Sequence, residues 1–118
     1  MKSTSYRDLI VWQKAMQLSY LIYEVTKKFP SDERYGLTSQ MRRCAVSIPS
    51  NIAEGRYRSG SREFKQFLHI AFGSGAELET QLEIAFHEKY IVDLDRRRIE
   101  SILTEVMKLL NSFIQGLN

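Results

Sequence analysis

Apolar residues recur along this chain at alternating steps of four and three, and the alternation restarts after each break. Val11, Ala15, Leu18, Ile22, Val25 and Phe29 form the first such run, which places them on one face of an α-helix. Asp8 suits the start of that helix, Lys27 and Lys28 its end, and Pro30 stops it. A second run, Leu37, Met41, Cys44, Ile48 and Ile52, leads to Glu54-Gly55, where glycine can take the left-handed cap conformation and end the helix. Inside this run Pro49 lacks an N–H and crowds the carbonyl four residues back, so helix two is expected to kink near Pro49. Ser47, Ser50 and Asn51 are placed to satisfy the freed backbone groups, and Ile52 is expected still to face the core.

The third run is the longest: Phe64, Leu68, Ala71, Gly75, Leu78, Leu82 and Ala85. A helix from Ser61 to Glu88 extends about 42 Å, too long for a round molecule of this size. Ala71, Gly73, Ser74, Gly75 and Ala76 make a small-residue waist on it, where another backbone can come close. The fourth run, Ile99, Leu103, Val106, Leu110, Phe113 and Leu117, starts near Asp93 or Asp95. Short connections and the absence of any β pattern predict an all-α fold: a single domain over residues 1–118, an elongated, antiparallel, up-down-up-down four-helix bundle.

Two helices carry more apolar surface than one core needs. Helix one adds Trp12, Met16, Tyr20 and Tyr23 beside its main stripe, and helix three adds Phe67, Ile70, Phe72 and Phe86. Contiguous apolar surface of that extent marks an interface, and these residue types are enriched at interface centres. The pattern leaves two alternatives: self-association into a homo-oligomer, or a monomer whose thick core absorbs these rings.

Composition narrows the chemistry. The chain has 118 residues, 43% of them apolar, with seventeen Lys and Arg against fourteen Asp and Glu. The lone Cys44 excludes an intrachain disulfide and reads as a buried core thiol. His69 and His87 lie about five turns apart on one helix and cannot share a metal within one chain, so no metal and no cofactor is expected. Glu77, Glu79, Glu83 and Glu88 read as a solvated acidic face. No P-loop, dinucleotide fingerprint or nucleophile elbow is present, and no enzymatic activity is expected. The start Met1-Lys2-Ser3-Thr4-Ser5-Tyr6-Arg7-Asp8 has no apolar stretch behind it, and no window is apolar enough to span a bilayer, so the chain is expected in the cytoplasm, away from membranes.

The charge is polarised. Arg34 to Lys65 holds seven basic and two acidic residues, a balance of +5, and Gln66 to Asp95 holds one basic and six acidic, a balance of −5. In the basic half, Gly55-Arg56-Tyr57-Arg58-Ser59-Gly60-Ser61-Arg62 reads as an accessible loop with a ring between two guanidinium groups, able to pair phosphates and stack on an unpaired base. The candidate nucleic-acid-binding residues are Arg42, Arg43, Arg56, Tyr57, Arg58, Arg62 and Lys65.

Four segments carry a wider likeness. Tyr6-Arg7-Asp8-Leu9-Ile10-Val11-Trp12-Gln13-Lys14-Ala15, Phe29-Pro30 with Glu33-Arg34-Tyr35-Gly36-Leu37, Ser47-Ile48-Pro49-Ser50-Asn51-Ile52-Ala53-Glu54-Gly55, and Gly73-Ser74-Gly75-Ala76-Glu77-Leu78-Glu79-Thr80-Gln81-Leu82 closely resemble, in this order, the bacterial four-helix bundle proteins encoded in intervening sequences of 23S ribosomal RNA genes. The chain is also similar to the accessory protein of diversity-generating retroelements. The resemblance implies a cytosolic helical bundle assembled as a homopentamer, without enzymatic activity, and a nucleic acid (RNA or DNA) or a protein as partner. Two functions follow as expectations: a nucleic-acid-binding or scaffold bundle with a basic surface, or a protein-binding adaptor that touches no nucleic acid.

Overall fold

The computed structural model describes residues 5–58 and 60–117, in which four α-helices and no strand occur. They are α1 (Ile10–Thr26), α2 (Leu37–Tyr57), α3 (Ser61–His87) and α4 (Asp93–Gly116), with 3-10 turns at Tyr6–Asp8 and Ser31–Glu33. Residues 1–4, on which the expectation of no secretory signal partly rests, and Ser59 of the expected loop lie outside the described residues. Each helix packs on its two neighbours in the cycle α1, α2, α3, α4 and back to α1. Contacts between successive helices pair late positions of one with early positions of the other, and middle with middle. Gly55 meets Phe64 and Phe67, Ser47 bonds Ser74, Phe64 meets Phe113, and Phe86 lies beneath Arg96. This is the pairing order of helices that run in opposite directions. The molecule measures 47 × 24 × 20 Å, elongated as the length of α3 requires. Among the described residues no helix is long and apolar enough to cross a membrane.

The four runs of apolar residues build the core. Every member of the first and third is buried, and so are Met41, Cys44, Ile48 and Ile52 of the second. Near the end of α4 the buried position is Ile114, while Phe113 is half-buried and turns edge-on to Phe64 with centroids 5.2 Å apart. A helix of 3.6 residues per turn drifts away from a strict seven-residue repeat, which moves the inward position by one residue.

Two helix ends differ from expectation. Asp8 lies in the first 3-10 turn, where the Ser5 hydroxyl accepts from Arg7 N, and α1 begins after Leu9 without a side-chain cap. Gly55 does not end α2. It is buried inside the helix, which runs on to Tyr57, and glycine is required there because a Cβ would lie 2.6 Å from Phe67 Cβ. The close approach of α2 and α3 is therefore at Gly55. At the expected waist, Gly75 faces the flexible Met107 side chain and Gly73 is exposed with nothing within 4 Å of a Cβ.

Pro49 is buried within a continuous α2, and Ile52 beyond it still faces the core. The carbonyl that residue 49 would bond in an ordinary helix is that of Ala45. It accepts instead from Ser19 Oγ of α1, at 3.0 Å, a hydroxyl shared with the Ala15 carbonyl of its own helix at the same distance. Asn51 Nδ2 donates to the Ser47 carbonyl at 2.8 Å and to Ser47 Oγ at 3.0 Å, and Ser47 Oγ meets Ser74 Oγ of α3 at 2.9 Å. Of the three residues expected to serve the proline, Asn51 and Ser47 take part in this network. The partner of the freed Ala45 carbonyl comes from α1, beyond the reach of any local reading.

Polar clasps close the connections. α3 ends with Lys89 at φ 66° in the left-handed region, Lys89 N donating to Phe86 O and Tyr90 N to Ala85 O, the bond pattern of a Schellman cap. In the first turn of α4 the buried Asp95 accepts from Lys28 Nζ and Arg98 Nη1, each at 3.1 Å. Lys28 above all, with Arg98, holds the Asp95 carboxyl below its usual range against the opposing effect of burial.

Candidate functional site

Basic charge on this molecule is organised by what the turn before α2 does to the backbone. The Glu33 carboxylate accepts from Leu37 N at 2.9 Å through one oxygen and from the Tyr90 hydroxyl at 3.0 Å through the other, so it caps α2 and ties the turn to the α3–α4 connection. That bond raises the Tyr90 pKa, since the neutral hydroxyl is the donor. Gly36 fits because a Cβ would stand 2.8 Å from Glu33 Oε1. Held in this way, the turn presents Arg34 and Tyr35 outward, with the Tyr35 ring 88% exposed and the Arg34 guanidinium 5.7 Å from its centroid.

One turn into α2, Arg42 and Arg43 face the same hollow. Arg42 Nε donates to Thr26 Oγ1 at 2.9 Å and its guanidinium lies 4.7 Å from the Tyr23 centroid, while Arg43 Nη2 donates to Ser39 Oγ at 3.3 Å. Together with Thr38 and Val46 these residues line a groove of about 470 Å³ that has no carboxylate in its walls. Arg34, Arg42 and Arg43 form no ion pair among the described residues, whereas Arg58, Arg96, Arg97 and Arg98 all do. The groove gathers three arginines without an ion pair among the described residues, the rings of Tyr23 and Tyr35, the hydroxyls of Thr38 and Ser39, and open space.

The remaining candidate residues stand apart, about 20 Å further along α2 at 1.5 Å per residue. Here the structure replaces the expected loop. Arg56 and Tyr57 belong to α2, Arg62 and Lys65 belong to α3, and only residues 58–60 connect the two helices. Arg58 is paired with Glu54 at 2.8 Å and lies 5.3 Å from the Phe67 ring. Arg56 is half-buried against Phe64, and Lys65 Nζ reaches the Leu117 carbonyl at 3.4 Å. Tyr57 is 79% exposed, with Tyr6 edge-on to it. The seven residues thus form two separate clusters. Arg34 and Tyr35, which complete the first, were absent from the expected set; an Arg-Tyr pair beside a glycine, just after a proline break, was the signal for an exposed ring with a cation beside it.

The apolar candidates divide as well. Trp12, Met16, Tyr20 and Tyr23 line one groove of about 530 Å³ along α1, with Val46, Pro49 and Ala53 of α2 as its opposite wall and Tyr6 among its lining residues. It meets the basic groove at Tyr23 and Val46. On α3 the four residues share no such surface. Phe67 packs at Gly55, Phe72 against the core, and Phe86 beneath Arg96 at 4.1 Å, so that Ile70, 52% exposed, is the most open of the set. Cys44 is buried beside Gln81 Nε2 at 3.5 Å, and burial pushes its thiol pKa up, away from nucleophilic use.

Comparison with known proteins agrees with this architecture. The family model described as 23S rRNA-intervening sequence protein matches residues 7–112. The chain is similar to a crystal structure of a protein with unknown function from the S23 ribosomal protein family of Bacteroides thetaiotaomicron VPI-5482. The TM-score is 0.84 and the identity 27%, over 91% of this chain and 96% of that one. No curated protein matches the chain.

Proposed function

Since this chain belongs to the 23S rRNA-intervening sequence protein family, we propose that it is a non-catalytic, oligomeric helical bundle of the cytoplasm that binds nucleic acid through the basic face of α2. The observation that carries the reading is the groove at Arg34, Arg42 and Arg43, three cations with no carboxylate in the walls. Clustered arginines without a paired carboxylate attract phosphate and release its counterions, so such binding weakens steeply with salt. Arg34 and Arg43 are the residues to change, because both are exposed, while Arg58 is already paired and Arg56 is packed against Phe64.

Exposed substitutions of this kind usually change stability by under about 0.5 kcal/mol. Arg34→Glu with Arg43→Glu is therefore expected to leave the fold intact and to weaken RNA retention about tenfold at low salt, the loss shrinking as salt is added. The check is fluorescence anisotropy over a salt series. A parent chain that retains no RNA at low salt refutes the reading and favours the adaptor, docked through the apolar groove of α1.

The oligomer is proposed on that same groove, which leaves Tyr20 and Tyr23 exposed beside Trp12 and Met16. A second copy covering it removes apolar surface that a monomer rarely leaves in water, and a ring repeats the basic face around its rim, multiplying a weak contact. Light scattering is expected to give the mass of a homo-oligomer, with five copies the stoichiometry proposed. A mass near the 13.8 kDa of one chain contradicts the assembly.

A further inference from the structure

We propose that the groove at the start of α2 selects single-stranded over duplex nucleic acid, holding one unpaired base on the Tyr35 ring with flanking phosphates on Arg34 and Arg43; this rests on the nucleic-acid reading above. Tyr35 contributes almost nothing to the core, since 88% of it faces solvent. Yet its backbone is fixed, because the Glu33 carboxylate beneath it is bonded at once to Leu37 N and to the Tyr90 hydroxyl. A ring held open on a rigid turn is a stacking platform, and stacking of a base on such a ring is tolerant of sequence and worth about 1–3 kcal/mol.

The cations are arranged for the backbone that accompanies such a base. Arg34 sits beside the ring, and Arg42 is held deeper by Thr26 and Tyr23. Arg43 lines the same groove and donates to Ser39 at 3.3 Å. Tyr35 and Arg43 also line a neighbouring hollow, which contains Glu77. Its carboxylate repels phosphate there and directs the strand to the α1 side, into the groove without acid. A paired base has both faces covered by its neighbours, so a duplex gains the arginines but not the ring.

The test uses the full chain, a labelled single-stranded RNA of mixed sequence, and the same RNA annealed to its complement, read by anisotropy at low salt. The parent is expected to bind the single strand about fivefold or more tightly than the duplex. Tyr35→Ser is expected to lose that advantage while duplex affinity stays unchanged, and Tyr35→Phe to keep it. Since position 35 is exposed, unchanged circular dichroism and unchanged duplex binding establish that the variants are folded. A Tyr35→Ser chain that binds the single strand as tightly as the parent overturns the inference and leaves the arginine reading standing. A parent that binds neither RNA overturns both.

Discussion

Gly55→Val is expected to destabilise the bundle by about 3 kcal/mol, read as a lower urea midpoint at unchanged slope. A Cβ at this position stands 2.6 Å from Phe67 Cβ and 3.0 Å from Phe64 Cδ1, and Phe67 Cβ is bound directly to the α3 backbone, so no rotamer change relieves the contact. The two helices must separate. Gly55→Ala falls in the same direction at about 1–2 kcal/mol, the clash being partly offset by the roughly 1 kcal/mol that alanine gains over glycine inside a helix. Gly73→Ala is the control, since a Cβ there meets nothing within 4 Å. A Gly55→Ala chain as stable as the parent rules out the close approach.

Gly55 also shows where sequence reading stops. Heptad spacing identified which residues turn inward, because burial of an apolar face requires only the period of the helix. Val11 through Phe29 and Phe64 through Ala85 obeyed it without exception. The period says nothing about how near two axes come, so a glycine just after a carboxylate carries the pattern of a helix end although it is a contact point. The proposed binding site follows the same division. Arg42 and Arg43 were legible as charge, but their separation from Arg56 and Arg58 follows from α2 continuing through Pro49 to Tyr57. The outward placement of Arg34 and Tyr35 goes with Glu33 bonding Tyr90, a residue 57 positions away. The aromatic surplus of α1 was legible as an open face. That of α3 was not, because Phe67 and Phe86 find partners only across helix contacts, at Gly55 and at Arg96.

Ser19→Ala is expected to cost about 1–3 kcal/mol, the penalty for stranding a buried acceptor, because it removes the donor to the Ala45 carbonyl that Pro49 leaves without its helical partner. The cost depends on the proline. In a Pro49→Ala chain the residue-49 N–H returns to that carbonyl, and the Ser19 hydroxyl retains the Ala15 carbonyl of its own helix. Removing Ser19 there is expected to cost under half as much. A double-mutant cycle by urea denaturation measures the coupling. Equal costs in the two backgrounds exclude the Ser19–Ala45 bond as the substitute for the missing one.

The same hydroxyls bear on how the four rods are threaded together. Stripes that repeat every three or four residues allow a helix to slide along its neighbour by one turn, about 5.4 Å, with its apolar face still inward. Such a shift parts Ser19 from Ala45 on one side of α2 and Ser47 from Ser74 on the other, stranding the Ala45 carbonyl that Pro49 leaves without a helical donor. The two bonds work as notches, fixing the vertical register of α1 and α3 against α2 at a level that the oily seams by themselves leave undetermined.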